Sequence, residues 1–174
     1  MDSMTQFMAK QAIFEQLCRY CRSMDRRDDE LGRLVFTKEC RVDYGLNFKG
    51  RGWDFVSWAH KAHDRAYIQT SHQINNVLIV LDSQCRRAVS ESYLDTVQLT
   101  HPDDEGHCYE LHVAGRYLDK WILRDDRWQI AHRQFVQDIA ELRRVEQAFP
   151  RFGGKADKTD PSYRLREWLE QGKG

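Results

Sequence analysis

The stretch Tyr20-Cys21-Arg22-Ser23-Met24-Asp25 puts a phenol and a carboxylate five residues apart, where the first long amphipathic segment runs out. A second reactive group, His72, stands in Thr70-Ser71-His72-Gln73-Ile74, near the start of the first long strand candidate. A carboxylate bonded to one imidazole nitrogen fixes the tautomer and stabilises the imidazolium. The other nitrogen is then free as a general base or acid near neutral pH. A phenol beside such a pair, from Tyr20 or from Tyr44 at a strand end, hydrogen-bonds a departing or developing oxygen. Chemistry of this kind is general acid-base catalysis, which side chains perform without a metal. Each residue also has a plainer role. Asp25 can cap the next helix, Tyr20 can be core, Tyr44 can close a hairpin, and a lone strand histidine among aliphatics is usually core. Asp28 and Asp29 already suit the cap, which leaves Asp25 available.

Other candidates are weaker. Cys18-x-x-Cys21 has metal-like spacing but no second pair, so ordinary helix packing is expected there. His60-x-x-His63 lacks a third ligand nearby and reads as a solvated helix face. Strand alternation groups Tyr109, Leu111, Val113, Gly115, Tyr117 and Trp121 on one face and puts His112 with Glu110 and Arg116 on the other, the outside. In the last strand His132 shares a face with Trp128 and Ile130, and Arg133 shares one with Phe135; either face fits the interior.

The elements that position these groups follow from period. Ile13, Leu17, Tyr20 and Met24 recur at helical spacing, so Thr5 to Met24 is a helix with Tyr20 on its core face. A shorter helix runs from about Asp28 to Phe36, a hairpin follows around Glu39–Tyr44 and the glycines at 45, 50 and 52, and a third helix spans Trp53 to Ala66. The period then changes to that of strands at 69–81, 86–100, 108–123 and 128–139, joined by short polar turns. Alternation along the first of these groups His72 with Ile74, Leu78 and Val80 as the interior face. The plan is α+β: three N-terminal helices packed on one face of a strongly curved antiparallel sheet that closes into a cone. Residues 1–149 form this domain. Residues 150–174 are a tail with a short helix at about 162–171, carrying Tyr163, Leu165, Trp168 and Leu169 to bury over the cone's open end or a neighbouring subunit.

Bulk properties exclude several classes. The 174 residues, 41% of them hydrophobic, fit one domain. Lysine plus arginine and aspartate plus glutamate both number 27, so no overall field favours nucleic acid or an anionic membrane. The longest apolar run, Val77 to Leu81, is far short of a bilayer span. Five cysteines without regular spacing and an N-terminus lacking a signal pattern set the expectation of a cytoplasmic protein.

Arg19-Tyr20, Met24 to Asp28, Arg41 to Gly45, Thr70 to Asn76, Gly115 to Asp119 and Trp128-Gln129-Ile130 occur in an order and spacing that resembles the SnoaL-like branch of the NTF2-like superfamily, over residues 5–140. The resemblance implies a cone fold, a hydrophobic or aromatic small-molecule substrate, no cofactor, and assembly as a trimer or dimer of identical chains. The site pattern is similar to those of its lyases. Scytalone dehydratase has an aspartate ending the first helix, an Asp-Tyr strand end and a Thr-x-His strand start; these carry over to Asp25, Tyr44 and His72. A second histidine of that enzyme has no counterpart here, where Glu91, Ser92 and Tyr93 stand. The Tyr-x4-Asp plus strand histidine of bile acid 7α-dehydratase carries over to Tyr20, Asp25 and His72. Diarylpropane lyases, which release formaldehyde from lignin-derived diols, are similar in type. The expectation is therefore a lyase acting by dehydration or deformylation. Asp25, His72 and Tyr20 would be catalytic, and Tyr44, Tyr117 and Arg133 would contact the substrate. Two alternatives are a noncatalytic partner resembling the β subunit of ring-hydroxylating oxygenases and a small-molecule-binding module.

Overall fold

The computed structural model describes residues 2–145, 153–165, 168 and 169. Helix α1 (Ser3–Arg26) begins at Asp2, whose carboxylate accepts from the Thr5 amide at 2.9 Å. It ends at Arg27 in the left-handed region, with φ 51°. That conformation is costly for a residue with a Cβ. It is held by the Arg27 side chain, whose Nε pairs with Asp64 at 2.9 Å and whose Nη1 donates to Thr70 Oγ1 at 3.1 Å. The reversal lets Asp28 cap α2 (Asp29–Val35), its carboxylate accepting from the Leu31 amide at 3.1 Å. Asp25 is thus not the cap.

Strands β1 (Phe36–Asp43) and β2 (Lys49–Arg51), helix α3 (Gly52–Ala66) and strands β3 (Tyr67–Leu81), β4 (Arg87–Thr100), β5 (Tyr109–Arg124) and β6 (Arg127–Arg144) complete the domain. One six-stranded sheet runs in the order β2-β1-β6-β5-β4-β3. It is mixed: every pairing is antiparallel except β1 with β6, which run parallel. An all-antiparallel sheet was the expectation from short polar turns. The parallel pair joins strands far apart in sequence, which no turn signal reports.

Ile13, Leu17, Tyr20 and Met24 of α1 are buried against Val35, Phe36, Val56, Tyr117, Trp121 and Ile130. Burying each aliphatic there contributes about 1.5–3 kcal/mol. The sheet curves around this core, and three of its bulges fall beside the residues that line the interior. On β3, Ile74 faces Leu94 and Val77 faces Ser92, so Asn75 and Asn76 together oppose Tyr93. On β6, Ala131 is extra between the pairs Trp121–Ile130 and Lys120–His132, and Asp138 is extra between Gly115–Gln137 and Ala114–Ile139. Each extra residue bends the strand and reverses which parity faces inward.

These reversals correct the simple alternation. His72 and Ile74 face inward, but Leu78 and Val80, read as interior, are 66% and 65% exposed; Val77, Ile79 and Leu81 pack on the core instead. Along β6 both sets point inward in turn, Trp128 and Ile130 before Ala131, Arg133 and Phe135 after it. Gly115, at the last bulge, has no room for a side chain, since a Cβ there would lie 2.5 Å from the Val136 carbonyl oxygen and 2.8 Å from Phe135 Cε2. Gly115→Ala is expected to cost about 1–3 kcal/mol, read as a lower urea midpoint; an unchanged midpoint would refute this.

The tail from 153 to 165 lies against the end of α1. Tyr163 Oη donates to Asp28 at 2.8 Å, Arg22 Nη1 donates to Ser162 Oγ at 2.9 Å, and Arg26 pairs with Asp160 at 3.4 Å. Its secondary structure is a 3-10 turn at Pro161–Arg164, while part of the helix expected at 162–171 falls outside the described residues. No described tail residue lines the interior cavity, and Leu165, Trp168 and Leu169 are exposed rather than buried.

Candidate active site

The helix end and the strand start meet. Asp25 Oδ1 lies 2.7 Å from His72 Nδ1, and Asp25 Oδ2 accepts from the His72 backbone amide at 3.0 Å. Thr70 Oγ1 donates to Asp25 Oδ1 at 3.0 Å and itself accepts from Arg27. Because an ionised carboxylate only accepts, the ring carries its proton on Nδ1 and a lone pair on Nε2. Nε2 has no protein hydrogen bond among the described residues. Asp25 stands on the last turn of α1, and Arg27, just beyond it, holds Thr70 against the carboxylate.

His72 borders a cavity of about 310 Å³ between the helices and the sheet. That is near the small end of small-molecule sites. Its walls are largely aromatic: Tyr20, Tyr44, Phe55, Trp58, Tyr117 and Phe135. Polar groups come from Asn47, Gln98, Gln137 and Thr96. Among the described residues, no aspartate, glutamate, lysine or arginine lines it.

Tyr20 and Tyr44 hydrogen-bond through their hydroxyls at 2.9 Å. Tyr44 stacks on Phe55 at 4.1 Å and on Phe135 at 5.3 Å, and Tyr20 meets Tyr117 edge to face at 5.5 Å. Burial pushes all three tyrosines above the ordinary phenol value, with Arg133 pulling the other way, so they stay protonated donors.

Arg133, read from sequence as a substrate contact, does not line the cavity. Its side chain and that of Asp119 are both 0% exposed, joined by two bonds of 2.8 and 2.7 Å. Its guanidinium lies 3.9 Å from the Tyr117 ring centroid and 4.3 Å from that of Tyr20. It therefore sits behind the aromatic wall. Burial lifts the Asp119 carboxyl above its ordinary value, opposed by Arg133, and Asp119 is the main reason Arg133 is held well above its own.

Two histidines read as solvated are not. Phe55, Val56, Ala59, His60 and His63 lie on the inner side of α3. His60 is buried and bonded through Nδ1 to Asp29, which also accepts from Ser57 at 2.9 Å. His63 lines the cavity, its ring centroid 5.6 Å from that of His72. The apolar spacing through Phe55, Val56 and Ala59 was the signal, since His63 continues that face one turn on. His112 and His132 are turned away: His112 pairs with Asp95 at 3.4 Å, and His132 borders an outer groove with Leu78 and Lys120.

Desolvation pushes His63 down to about 3, helped by His72, Arg27 and His60, and desolvation also lowers His60 despite Asp29. Both rings therefore bind fewer protons folded than unfolded below about pH 6.5, and stability falls as pH drops from that value toward 3. Thermal unfolding at pH 7 and pH 5 should show the lower midpoint at pH 5. A smaller drop is expected in His63→Gln; an equal drop would refute the assignment to His63.

Among the described residues, no helix is long and apolar enough to cross a membrane, and no group of three histidine, cysteine or carboxylate side chains is placed to hold a metal ion.

No curated protein sequence matches the chain. Among solved structures, a putative scytalone dehydratase from Novosphingobium aromaticivorans DSM 12444 superposes with TM-score 0.71 at 21% identity, over 86% of this chain and 97% of that one. The hexachlorocyclohexane dehydrochlorinase LinA-type3 from Novosphingobium barchaimii LL02 gives 0.69 at 12% identity, over 87% and 100%. An NTF2-like superfamily protein from Salmonella enterica gives 0.65 at 19%, over 84% and 99%. At these identities the likeness is one of fold. The sequence model of the SnoaL-like domain matches residues 6–134, most of the chain, so the protein belongs to the SnoaL-like family and has the NTF2-like fold.

Proposed function

We propose that the protein is a cofactor-independent lyase that eliminates across a hydroxylated aromatic or polycyclic small molecule by acid-base chemistry. The observation that carries this reading is His72, bonded to Asp25 behind it, in the wall of an aromatic cavity that no aspartate, glutamate, lysine or arginine among the described residues lines. His72 Nε2 takes a proton from the carbon next to the carbinol; the C–H electrons form the double bond, and the C–O bond breaks. Asp25 keeps Nε2 unprotonated at the start and stabilises the imidazolium that forms. Tyr20, tied to Tyr44, donates to the departing oxygen, and the imidazolium returns the proton that completes water. In a deformylation the benzylic C–O bond breaks first; His72 then takes the hydroxyl proton of the hydroxymethyl group, the C–C bond to that group breaks to release formaldehyde while its electrons form the double bond, and the imidazolium protonates the departed hydroxide to water.

The uncharged lining favours a neutral substrate, because a buried carboxylate or ammonium there would have no ionic partner. The likeness in fold to a structure named as a putative scytalone dehydratase and to a dehydrochlorinase is in keeping with elimination chemistry. The test is incubation with aromatic diols and steroid alcohols, with mass detection of lost water or formaldehyde. Conversion of a neutral member is the expected result. Tight binding without conversion across the panel would overturn the lyase reading in favour of a binding module.

A further inference from the structure

His63 is the second imidazole of the cavity, and the proposed reaction leaves it unused. It reaches the cavity from α3, on the opposite element from Asp25 and a different one from His72. Its Nδ1 is buried without a hydrogen-bond partner. The Met24 carbonyl lies near enough to favour protonation of the ring, but it completes no hydrogen bond to that nitrogen. His60, one turn earlier on the same helix, differs in having Asp29 as its partner. A buried polar group left unpaired costs about 1–3 kcal/mol. A second imidazole beside the Asp25–His72 pair is thus retained where an apolar residue would pack at no such cost.

We propose that His63 is a substrate-binding residue that, with His72, holds the hydroxyl of a neutral aromatic alcohol between two imidazoles. Both rings line the same cavity with their centroids 5.6 Å apart, so one hydroxyl at the usual hydrogen-bond length of about 2.8 Å is short enough to serve both. A neutral imidazole offers one donor and one acceptor, and a hydroxyl is its complement, whereas a carboxylate can only accept. His63 remains neutral because burial, the His72 ring and Arg27 all oppose its protonation. Anchoring at both rings places the carbinol oxygen beside Nε2 of His72 while the aromatic part of the substrate lies along Tyr44, Phe55 and Phe135. The inference rests on the lyase reading for its purpose, but it can fail separately, since binding alone tests it.

The experiment compares calorimetric binding of 2-naphthol and naphthalene to wild type, His63→Leu and His63→Gln. Wild type is expected to favour 2-naphthol by about five- to tenfold, the worth of one hydrogen bond. His63→Leu loses that preference while still binding naphthalene, which also shows that it is folded, and His63→Gln keeps most of it. A preference unchanged in His63→Leu, or none in wild type, overturns the proposal whatever the panel shows for turnover. Absence of turnover together with a preference that depends on His63 would leave this proposal standing and remove the lyase reading.

Discussion

Asp25→Asn is expected to lower turnover on the converted alcohol by about a hundredfold or more, with the fold retained. The carboxylate takes the His72 amide, His72 Nδ1 and Thr70 Oγ1 on its two oxygens, an arrangement that needs acceptors on both sides. An asparagine keeps one acceptor and turns the other position into a donor. If its NH2 faces the ring, Nδ1 must accept and the proton moves to Nε2, which then has no lone pair for the substrate. If the amide turns over, the NH2 meets the His72 backbone N–H instead. Either outcome removes the base or its support, while the loss of about one hydrogen bond's stability is modest. The check is the rate measured beside a thermal unfolding curve. A folded variant working at the wild-type rate would remove Asp25 from the mechanism, and His72→Ala should match Asp25→Asn in size if the two act as one unit.

The second large effect is on stability. Arg133→Leu is expected to cost about 3–5 kcal/mol, because it strands the fully buried Asp119 carboxylate without its hydrogen-bonded ion-pair partner. It also removes the charge stacked behind Tyr20 and Tyr117, so the cavity wall loosens as well. Replacing both residues, Arg133→Leu with Asp119→Leu, should recover most of the loss. In the single variant Asp119 is raised by burial with no cation bonded to it, so stability should fall as pH rises above the ordinary carboxyl value of about 4 and be partly regained in acid. Urea denaturation of the two variants decides the matter. A midpoint like wild type in Arg133→Leu, or a double variant no better than the single, would show that the pair does not carry the sheet's interior.

The sequence made local features legible because their causes are local. The spacing of Ile13, Leu17, Tyr20 and Met24 defines one face of a helix whatever it packs on, and Asp28 marks the next helix start through a bond three residues away. The strands and their turns followed from period and from short polar links. Tyr20, Asp25 and His72 were drawn together by pattern and resemblance, and the folded chain has Asp25 and His72 in hydrogen-bond contact.

What only the tertiary structure decided depends on closure. A bulge is set by where a sheet must bend around its helices, and nothing in Asn75-Asn76 or Ala131 alone says that the period breaks there. Hence Leu78 and Val80 were read inward and turn out, and the side of Arg133 could not be read at all. The parallel pairing of β1 with β6 joins segments almost a whole domain apart, and its cost and reward lie in long-range loop closure rather than in any short stretch. His63 was misread for the same reason: helical spacing shows that a face exists, but only the packing of α3 over the sheet shows that this face borders a cavity. As for the stretch Tyr20 to Asp25, sequence alone determined that a phenol and a carboxylate stand at a helix end. The packing of the end of α1 on the start of β3 decided that the carboxylate meets a histidine, because Asp25 reaches Thr70 and His72 across 45 and 47 residues of chain.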